Sequence, residues 1–124
     1  MSTMVTGGTG LVGSSINANI KLSSSDVDLR DWKSTLSIFE ELKPKKVIHC
    51  AARVGGLGGN MNYKGEYFYD NMMMNLNVLE ASRRVGVEKV VSFMSTCVFP
   101  DDVEYPLTEN KIHLGEPHHS NYPY

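Results

Sequence analysis

Three glycines near the beginning of the chain have the spacing of a phosphate-binding turn. Gly7, Gly10 and Gly13 follow the apolar pair 4–5, and the second apolar pair, 11–12, stands between the last two glycines. The first glycine permits a tight turn, the second lets backbone amides approach a ligand, and the third lets a helix pack on the preceding strand. Amides at the beginning of a helix attract anions. The stretch therefore predicts a strand-to-helix turn that holds a dinucleotide pyrophosphate, with a purely structural turn as the alternative.

The composition restricts the classes of function. The 124 residues suffice for one domain with a core, and 41% of them are hydrophobic. A formal net charge of −2 argues against a binding surface for nucleic acid or anionic membrane. No apolar stretch is long enough to predict a membrane span. The two cysteines lack CxxC spacing, which favours a cytoplasmic protein without a disulfide or a zinc site.

Alternating extended and helical patterns predict an α/β fold with a parallel sheet. Strands are expected at residues 3–6, 46–50 and 89–94, and helices at about 10–19, 31–42 and 65–85. Asp31 is the expected N-cap of the second helix, and Gly86 is the expected stop of the third. Four glycines within 55–59 predict a mobile loop. We expect strand 89–94 to be buried on both faces, because it is a continuous, β-branched run.

The region near Lys21 is too short for an ordinary second strand. A doubly wound sheet needs a helix, a loop and a strand before the next acidic turn, and such a crossover takes a dozen or more residues. Only Lys21 and Leu22 remain between Ile20 and Ser23. The sequence therefore predicts a truncated, Rossmann-like doubly wound sheet, whose second strand is either vestigial or lost with a missing segment.

Five blocks of sequence resemble one group of enzymes. The blocks are residues 5–13, 26–31, 49–56, 70–79 and 94–100. Together they resemble the N-terminal part of extended short-chain dehydrogenases/reductases. Blocks 49–56 and 94–100 resemble, within that superfamily, the GDP-L-fucose synthase family. Members of that family are NADPH-dependent epimerase-reductases that act on GDP-4-keto-6-deoxy-D-mannose. The resemblance thus implies one incomplete NAD(P)-binding Rossmann domain over residues 1–124, with the C-terminal substrate domain absent.

The resemblance implies a cofactor site with NADP as the cofactor and NAD as the less favoured alternative. The pyrophosphate would lie on the glycine turn, the adenine on the loop after the second strand, and the rest of the cleft at the end of the third strand. The residues in that order are Gly7, Gly10, Leu11, Val12 and Gly13, then Asp28 and Leu29, then Ala51, Ala52 and Val54. Relatives that prefer NADPH hold its 2′-phosphate with basic or hydroxyl side chains after the second strand, where this chain has Ser23, Ser24 and Ser25.

The resemblance also assigns catalytic residues. Ser95 would hydrogen-bond the substrate carbonyl, and Cys97 would be one member of the acid/base pair that epimerises C3 and C5. Tyr124 aligns with the tyrosine of the family's Tyr-x-x-x-Lys motif, and Tyr122 is the competing choice. The lysine, the histidine partner of the cysteine and the substrate domain would all follow residue 124. The structural alternative for Ser95 is a serine that satisfies backbone groups at the end of a strand, and for Cys97 it is an inert core thiol. We interpret Cys50 as such an inert core thiol.

Three functions stay open at this point. The first is the cofactor-binding half of a GDP-L-fucose synthase, which implies GDP-4-keto-6-deoxy-D-mannose as the substrate and a homodimer as the assembly. The second is another sugar-nucleotide epimerase or dehydratase, against which Cys97 argues. The third is a non-catalytic dinucleotide-binding or dimerising remnant.

Two groups of polar residues are left without an assigned role. Asn71, Asn75 and Asn77 either hydrogen-bond neighbouring strand ends or are exposed. No metal site is expected, because the histidines at 113, 118 and 119 lack ligand partners at helical spacing.

Overall fold

The computed structural model describes residues 2–121 and contains a four-stranded parallel sheet. The strands are β1 (Thr3–Thr6), β2 (Ile20–Leu22), β3 (Lys46–His49) and β4 (Lys89–Ser92), in the order β2-β1-β3-β4. The helices are α1 (Leu11–Ser15), α2 (Trp32–Leu42), α3 (Gly56–Asn62) and α4 (Lys64–Val85). Short 3-10 turns follow at Thr96–Val98, Glu109–Lys111 and His119–Asn121. The expected Rossmann-like α/β fold is thereby confirmed.

The chain divides into two compact units. The first comprises Met1–Arg53 and Asp70–Phe93 and contains the sheet. Its core is formed by side chains from the strands, from the loop after β2 and from the two long helices: Met4, Leu22, Val27, Leu29, Phe39, Val47, Val78 and Ala81. The second unit comprises Val54–Tyr69 and Met94–Tyr124. The assignment of residues 1–124 to one incomplete cofactor-binding domain stays a prediction.

The second strand is present but short. β2 pairs in parallel with β1, and its three residues lie opposite residues 4–6. Helix α1 ends at Ser15 rather than near residue 19, because the chain must turn back at once to begin β2. Two side-chain bonds fasten this short connection: Lys21 Nζ donates to the carbonyl of Ser14 at 2.7 Å, and Asn19 Oδ1 accepts from the amide of Thr3 at 3.1 Å. The second strand is therefore shortened but not lost.

The two long helices agree with the sequence pattern. Asp31 caps α2, since its Oδ1 accepts from the amide of Ser34 at 2.7 Å. Lys43 closes the same helix in a left-handed conformation with φ 42°. Helix α4 is followed by Gly86, whose φ of 74° suits a helix stop. Within residues 2–121, no helix combines the length and the apolar character that crossing a bilayer requires.

The prediction of a mobile loop at the four glycines is wrong, because Gly56–Asn62 forms helix α3. Tyr67, on α4 in the same unit, packs its ring against this segment. A β-carbon at Gly55 or Gly59 would overlap the hydroxyl of Tyr67. The glycines therefore permit a close contact between the side chain and the α3 segment, and this contact offsets their poor helix propensity.

The prediction that the fourth strand is buried on both faces is also wrong. β4 ends at Ser92, and its side chains are mostly exposed. It is the edge strand of the described sheet, with β3 as its hydrogen-bonded neighbour. Apolar, β-branched composition therefore predicted the strand correctly and its burial incorrectly.

Candidate functional site

A cavity of about 450 Å³ lies at the carboxyl ends of the first three strands. β1 has β2 on one side and β3 on the other, so the chain reverses its direction of progress across the sheet there. Doubly wound sheets bind ligands at such a switch point. The lining comes from the turn after β1, the loops after β2 and β3, and α4: Gly7, Thr9, Gly10, Leu22, Ser23, Ser24, Val27, Asp28, Leu29, Arg30, Cys50, Ala51, Ala52, Arg53, Asp70 and Met74.

The turn after β1 depends on glycine at two positions. Gly7 has φ 68°, and a β-carbon there would lie 2.8 Å from the backbone of Ala51. Gly13 is buried in α1, and a β-carbon there would overlap the carbonyl oxygen of Gly7. The amide of Gly10 donates to that same carbonyl at 3.0 Å. The roles predicted for Gly7 in the tight turn and for Gly13 in close packing are thus confirmed, whereas the approach of a ligand at Gly10 stays a prediction.

The structure brings most of the predicted cofactor residues together. Gly7, Gly10, Asp28, Leu29, Ala51 and Ala52 all line the cavity. Leu11 and Val12 are not among the residues that line the cavity, and their side chains are exposed, that of Leu11 to 93%. Gly13 lies beneath the turn rather than in the lining. Val54 belongs to the second unit, and its side chain is exposed.

A buried hydrogen-bond chain lies under the cavity floor. Nδ1 of His49 is 2.6 Å from Oγ1 of Thr6, and Nε2 of His49 is 2.9 Å from Oδ1 of Asn75. The amide of Ala51 donates to the Thr6 hydroxyl at 3.4 Å. Since Asn75 Oδ1 accepts, the imidazole carries its proton on Nε2, and Thr6 donates to Nδ1. Burial lowers the pKa of His49, and the bond to Asn75 opposes this in part.

Four charged side chains line one edge of the cavity. Arg30 binds both carboxylate oxygens of Asp28, at 3.0 Å and 2.9 Å. Asp70, on α4, accepts two hydrogen bonds on its Oδ2, from Nη1 of Arg30 at 3.3 Å and from Nη1 of Arg53 at 2.7 Å. The hydrogen bonds from Arg30 lower the pKa of Asp28. Sequence reasoning did not assign Arg30, Arg53 or Asp70, although all three lie in the blocks that carry the resemblance.

Two asparagines of α4 hold the loops that line the cavity. Asn71 pairs with the backbone of Arg53, accepting from its amide at 2.7 Å and donating to its carbonyl at 3.0 Å. Asn77 donates to the carbonyls of Leu29 and Arg30 at 2.9 Å and 3.0 Å. The open question about these asparagines is thus decided in favour of bonds to the segments that follow strands.

The predicted catalytic residues Ser95 and Cys97 lie in the second unit. Ser95 begins the 3-10 turn Thr96–Val98, and its Oγ accepts from the amide of Cys97 at 3.1 Å. Cys97 is half-buried and lines a cavity of about 220 Å³ together with His118 and Asn121. Tyr124 and the competing Tyr122 lie outside the described residues.

The remaining candidates have simpler environments. Cys50 is half-buried in the wall of the larger cavity rather than in the core, and burial raises the pKa of its thiol. Nδ1 of His118 bonds to the side chain and the amide of Ser120. Within the described part of the chain, no three His, Cys, Asp or Glu side chains are grouped to hold a metal ion.

Comparison with known proteins places this geometry in a family. The sequence model of the NAD dependent epimerase/dehydratase family matches residues 3–124. The chain belongs to this family. A switch-point cavity behind a glycine turn, with small residues after β3, is what an NAD dependent epimerase/dehydratase needs to bind a dinucleotide.

Several members of the family are similar over nearly the whole chain. GDP-L-fucose synthase of Dictyostelium discoideum is 48% identical, and the probable GDP-L-fucose synthase of Drosophila melanogaster is 45% identical, each over 98% of this chain and 41% of the relative. A crystal structure of a GDP-L-fucose synthetase from Naegleria fowleri bound to NADP has a TM-score of 0.84 and 44% identity, covering 98% of this chain and 39% of that one.

These relatives are longer than the chain. The chain spans about two fifths of the length of the curated relatives it matches. The alignment with the Dictyostelium protein runs over 132 residues, more than the 124 present here, so the relative has residues for which this chain has none.

Proposed function

We propose that the chain is the cofactor-binding part of a GDP-L-fucose synthase. Such an enzyme epimerises GDP-4-keto-6-deoxy-D-mannose at C3 and C5 and reduces its C4 carbonyl, so it is both an isomerase and an oxidoreductase. The observation that carries this proposal is the 48% identity with the Dictyostelium synthase over 98% of the chain. The cavity at the switch point supports it, because the reduction needs a dinucleotide close to the sugar.

The cofactor in this proposal is NADP. When bound in its reduced form, it supplies the hydride that reduces the C4 carbonyl. Gly7 and Gly10 would leave room for its pyrophosphate on the turn, and Asp28 and Leu29, which line the same cavity, would contact its adenine. Ala51 and Ala52 would line the rest of the cleft with small side chains. The NADP bound to the 44% identical Naegleria protein supports this choice over NAD.

The proposed chemistry uses Ser95, Cys97 and Tyr124. Ser95 Oγ accepts from the amide of Cys97, so its own proton remains available for donation to a carbonyl oxygen of the substrate. Cys97 would exchange a proton at C3 and C5 of the sugar through its Sγ. Tyr124 would donate to the C4 oxygen during reduction.

We further infer a homodimer in the cytoplasm. In the first unit, helix α4 carries three exposed apolar side chains at spacings of four and three residues, which places them along one helix face: Met72, Leu76 and Leu79. Two copies of such a helix can bury these faces against one another. The two free thiols favour a reducing compartment.

Binding of nucleotides to the purified chain tests the cofactor assignment. The fluorescence of Trp32 would be followed during titration with NADPH and with NAD. We expect saturable binding with NADPH preferred, and loss of binding in Gly10→Asp, because the new carboxylate repels the pyrophosphate. Gly65→Asp is the matched control, since a β-carbon at Gly65 meets nothing within 4 Å. A folded wild-type chain that binds neither nucleotide would contradict the proposal and favour a remnant without cofactor.

A further inference from the structure

The smaller cavity, of about 220 Å³, contains a histidine that the proposed chemistry does not use. His118 lines this cavity together with Cys97, and both residues belong to the second unit. The side chain of His118 is half-buried, and the ring of the exposed His119 packs on it with 4.1 Å between the ring centroids. His118 is therefore held in the same cavity as the thiol to which proton exchange is assigned.

The hydrogen bonds of Ser120 determine which nitrogen of His118 carries the proton. The amide of Ser120 donates to Nδ1 at 3.3 Å, so Nδ1 acts as an acceptor. The hydroxyl of Ser120 lies 2.8 Å from the same nitrogen, closer than its other acceptor, Oδ1 of Asn121, at 3.4 Å. The single hydroxyl proton therefore points to Nδ1. With Nδ1 accepting, the neutral ring carries its own proton on Nε2.

This arrangement leaves one donor of the ring for a ligand. Within residues 2–121, the hydrogen bonds of the His118 ring are those that Nδ1 makes with Ser120. Ser120 is only 3% exposed, so its hydroxyl is a buried group that orients the ring. A bond to one ring nitrogen that sets the proton on the other is how proteins prepare a histidine for a ligand. The Nε2–H group of His118 is thus oriented and still without a protein acceptor among the described residues.

The size and the lining of the cavity suit a single sugar ring. Its volume is below the about 300 Å³ at which pockets for drug-sized ligands begin, so a hexose ring fits it better than a whole nucleotide does. Polar side chains such as Asn121 and apolar ones such as Leu107 share the lining. A sugar presents both hydroxyl groups and a carbon skeleton to such a mixed wall.

We propose that His118 donates from Nε2 to an oxygen of the substrate's sugar and that Ser120 positions its ring. This inference rests on the proposed function and adds a substrate contact to it. The acceptor is an oxygen of the nucleotide sugar, either on the sugar or on the diphosphate. The sugar oxygen is favoured, because Cys97 would reach the sugar carbons from the same small cavity.

Calorimetric titration of the full enzyme that the proposed function implies tests this contact, with GDP-L-fucose, the product, and with GDP as the two ligands. Asparagine at position 118 keeps an acceptor close to the place of Nδ1 and has nothing at the place of Nε2. In His118→Asn we expect GDP-L-fucose to bind about threefold to tenfold more weakly, from the loss of one hydrogen bond. GDP, which lacks the sugar, should bind as it does to the wild type.

Two further variants serve as matched controls. His118→Gln places an amide N–H close to the position of Nε2, so it should recover most of the affinity for GDP-L-fucose. His113→Asn makes the same change as His118→Asn at an exposed position outside the cavity lining. It should leave the affinity for both ligands unchanged.

The positioning role of Ser120 requires a comparison in two backgrounds. In the wild type, Ser120→Ala should weaken GDP-L-fucose binding about twofold to fivefold, because the ring loses its hydroxyl partner. In His118→Asn the same substitution should cause no further loss, since no Nε2–H group is left to position. An equal loss in both backgrounds would show that Ser120 acts on the fold alone and would overturn its positioning role.

Four results decide the rest of the inference. Losses in His118→Asn that are equal for GDP-L-fucose and GDP, and that glutamine restores, assign the contact to the diphosphate. Unaltered affinity for both ligands overturns the inference and leaves the proposed function intact. A loss in His118→Gln as large as that in His118→Asn also overturns it, because the bulk of the ring rather than its Nε2 proton would then matter. A wild-type enzyme that binds neither ligand overturns the proposed function, and this inference with it.

Discussion

Oγ1 of Thr6 lies 2.6 Å from Nδ1 of His49, directly beneath the turn that begins at Gly7. Both side chains are buried, and the bond joins the carboxyl ends of β1 and β3. The same hydroxyl accepts from the amide of Ala51 in the wall of the cavity. This single hydroxyl therefore connects the glycine turn, the cavity wall and the only buried imidazole of the described residues.

Replacing Thr6 with valine should destabilise the chain. The new side chain has a similar shape, but it leaves Nδ1 of His49 and the amide of Ala51 without their partner. We expect the free energy of unfolding to fall by about 1–3 kcal/mol in urea denaturation. Thr3→Val, at a half-buried position of the same strand, is the control and should change it by no more than about 0.5 kcal/mol. Equal effects of the two changes would contradict a role for the hydroxyl.

Protonation of His49 should make the chain less stable in mild acid. Burial lowers the pKa of His49 below its ordinary 6.5, so the unfolded chain takes up the proton more readily than the folded one. The stabilisation is therefore complete above pH 6.5 and is lost progressively as the pH falls below it. Urea denaturation between pH 5 and pH 8 measures how the free energy of unfolding depends on pH. His49→Gln should flatten the curve, whereas His113→Gln, at an exposed position, should not.

Two glycine-to-alanine substitutions should change the stability of the folded chain in opposite directions. A β-carbon at Gly13 would overlap the carbonyl of Gly7, so Gly13→Ala should cost on the order of 1–3 kcal/mol of stability through overpacking. A β-carbon at Gly65 meets nothing within 4 Å in helix α4. Gly65→Ala should therefore stabilise the chain by about 0.5–1 kcal/mol through helix propensity. Thermal and urea denaturation of both variants measure the difference, and a neutral Gly13→Ala would contradict the close contact.

Cys97 should be required for proton exchange at the sugar, and Cys50 should not. The experiment uses the full enzyme that the proposed function implies, with GDP-4-keto-6-deoxy-D-mannose in deuterated water. We expect Cys97→Ser to slow deuterium incorporation at C3 and C5 by about 10²–10⁴-fold while NADPH binding persists. Cys50→Ser is the matched control and should retain the exchange. Normal incorporation in Cys97→Ser would remove the cysteine from the proposed chemistry.

The exposed face of α4 should mediate self-association. Leu76→Arg places a charge in the middle of the apolar row and should shift the protein from dimer to monomer, since burying an unpaired charge is costly. Sedimentation equilibrium across a concentration series measures the change. Glu66→Arg introduces the same side chain at an exposed polar position of α4 and should leave the dimer intact. A wild-type protein that is monomeric at all concentrations would contradict the assembly.

Local sequence patterns predicted most strands and helices of the first unit and the glycine turn of its candidate site, whereas the other cofactor residues came from the family resemblance. The glycine spacing predicted the turn, because φ 68° at Gly7 and the contact at Gly13 exclude other residues. Apolar runs and caps predicted β1, β3, α2 and α4 with small errors at their ends. These features depend on residues that are close in the chain, so periodicity and composition are sufficient to reveal them.

Only the tertiary structure decided which polar side chains meet. Asp70 binds Arg53 and Arg30 across 17 and 40 residues, and Asn77 binds the carbonyl of Leu29 across 48. No local pattern encodes such pairs, because they arise when α4 packs against the ends of β2 and β3. Helix α3 was missed for the same reason, since Tyr67 packs where other residues would place a β-carbon. Short-range preference thus specified the strands, the turn and the long helices, while long-range packing specified the charged edge of the cavity.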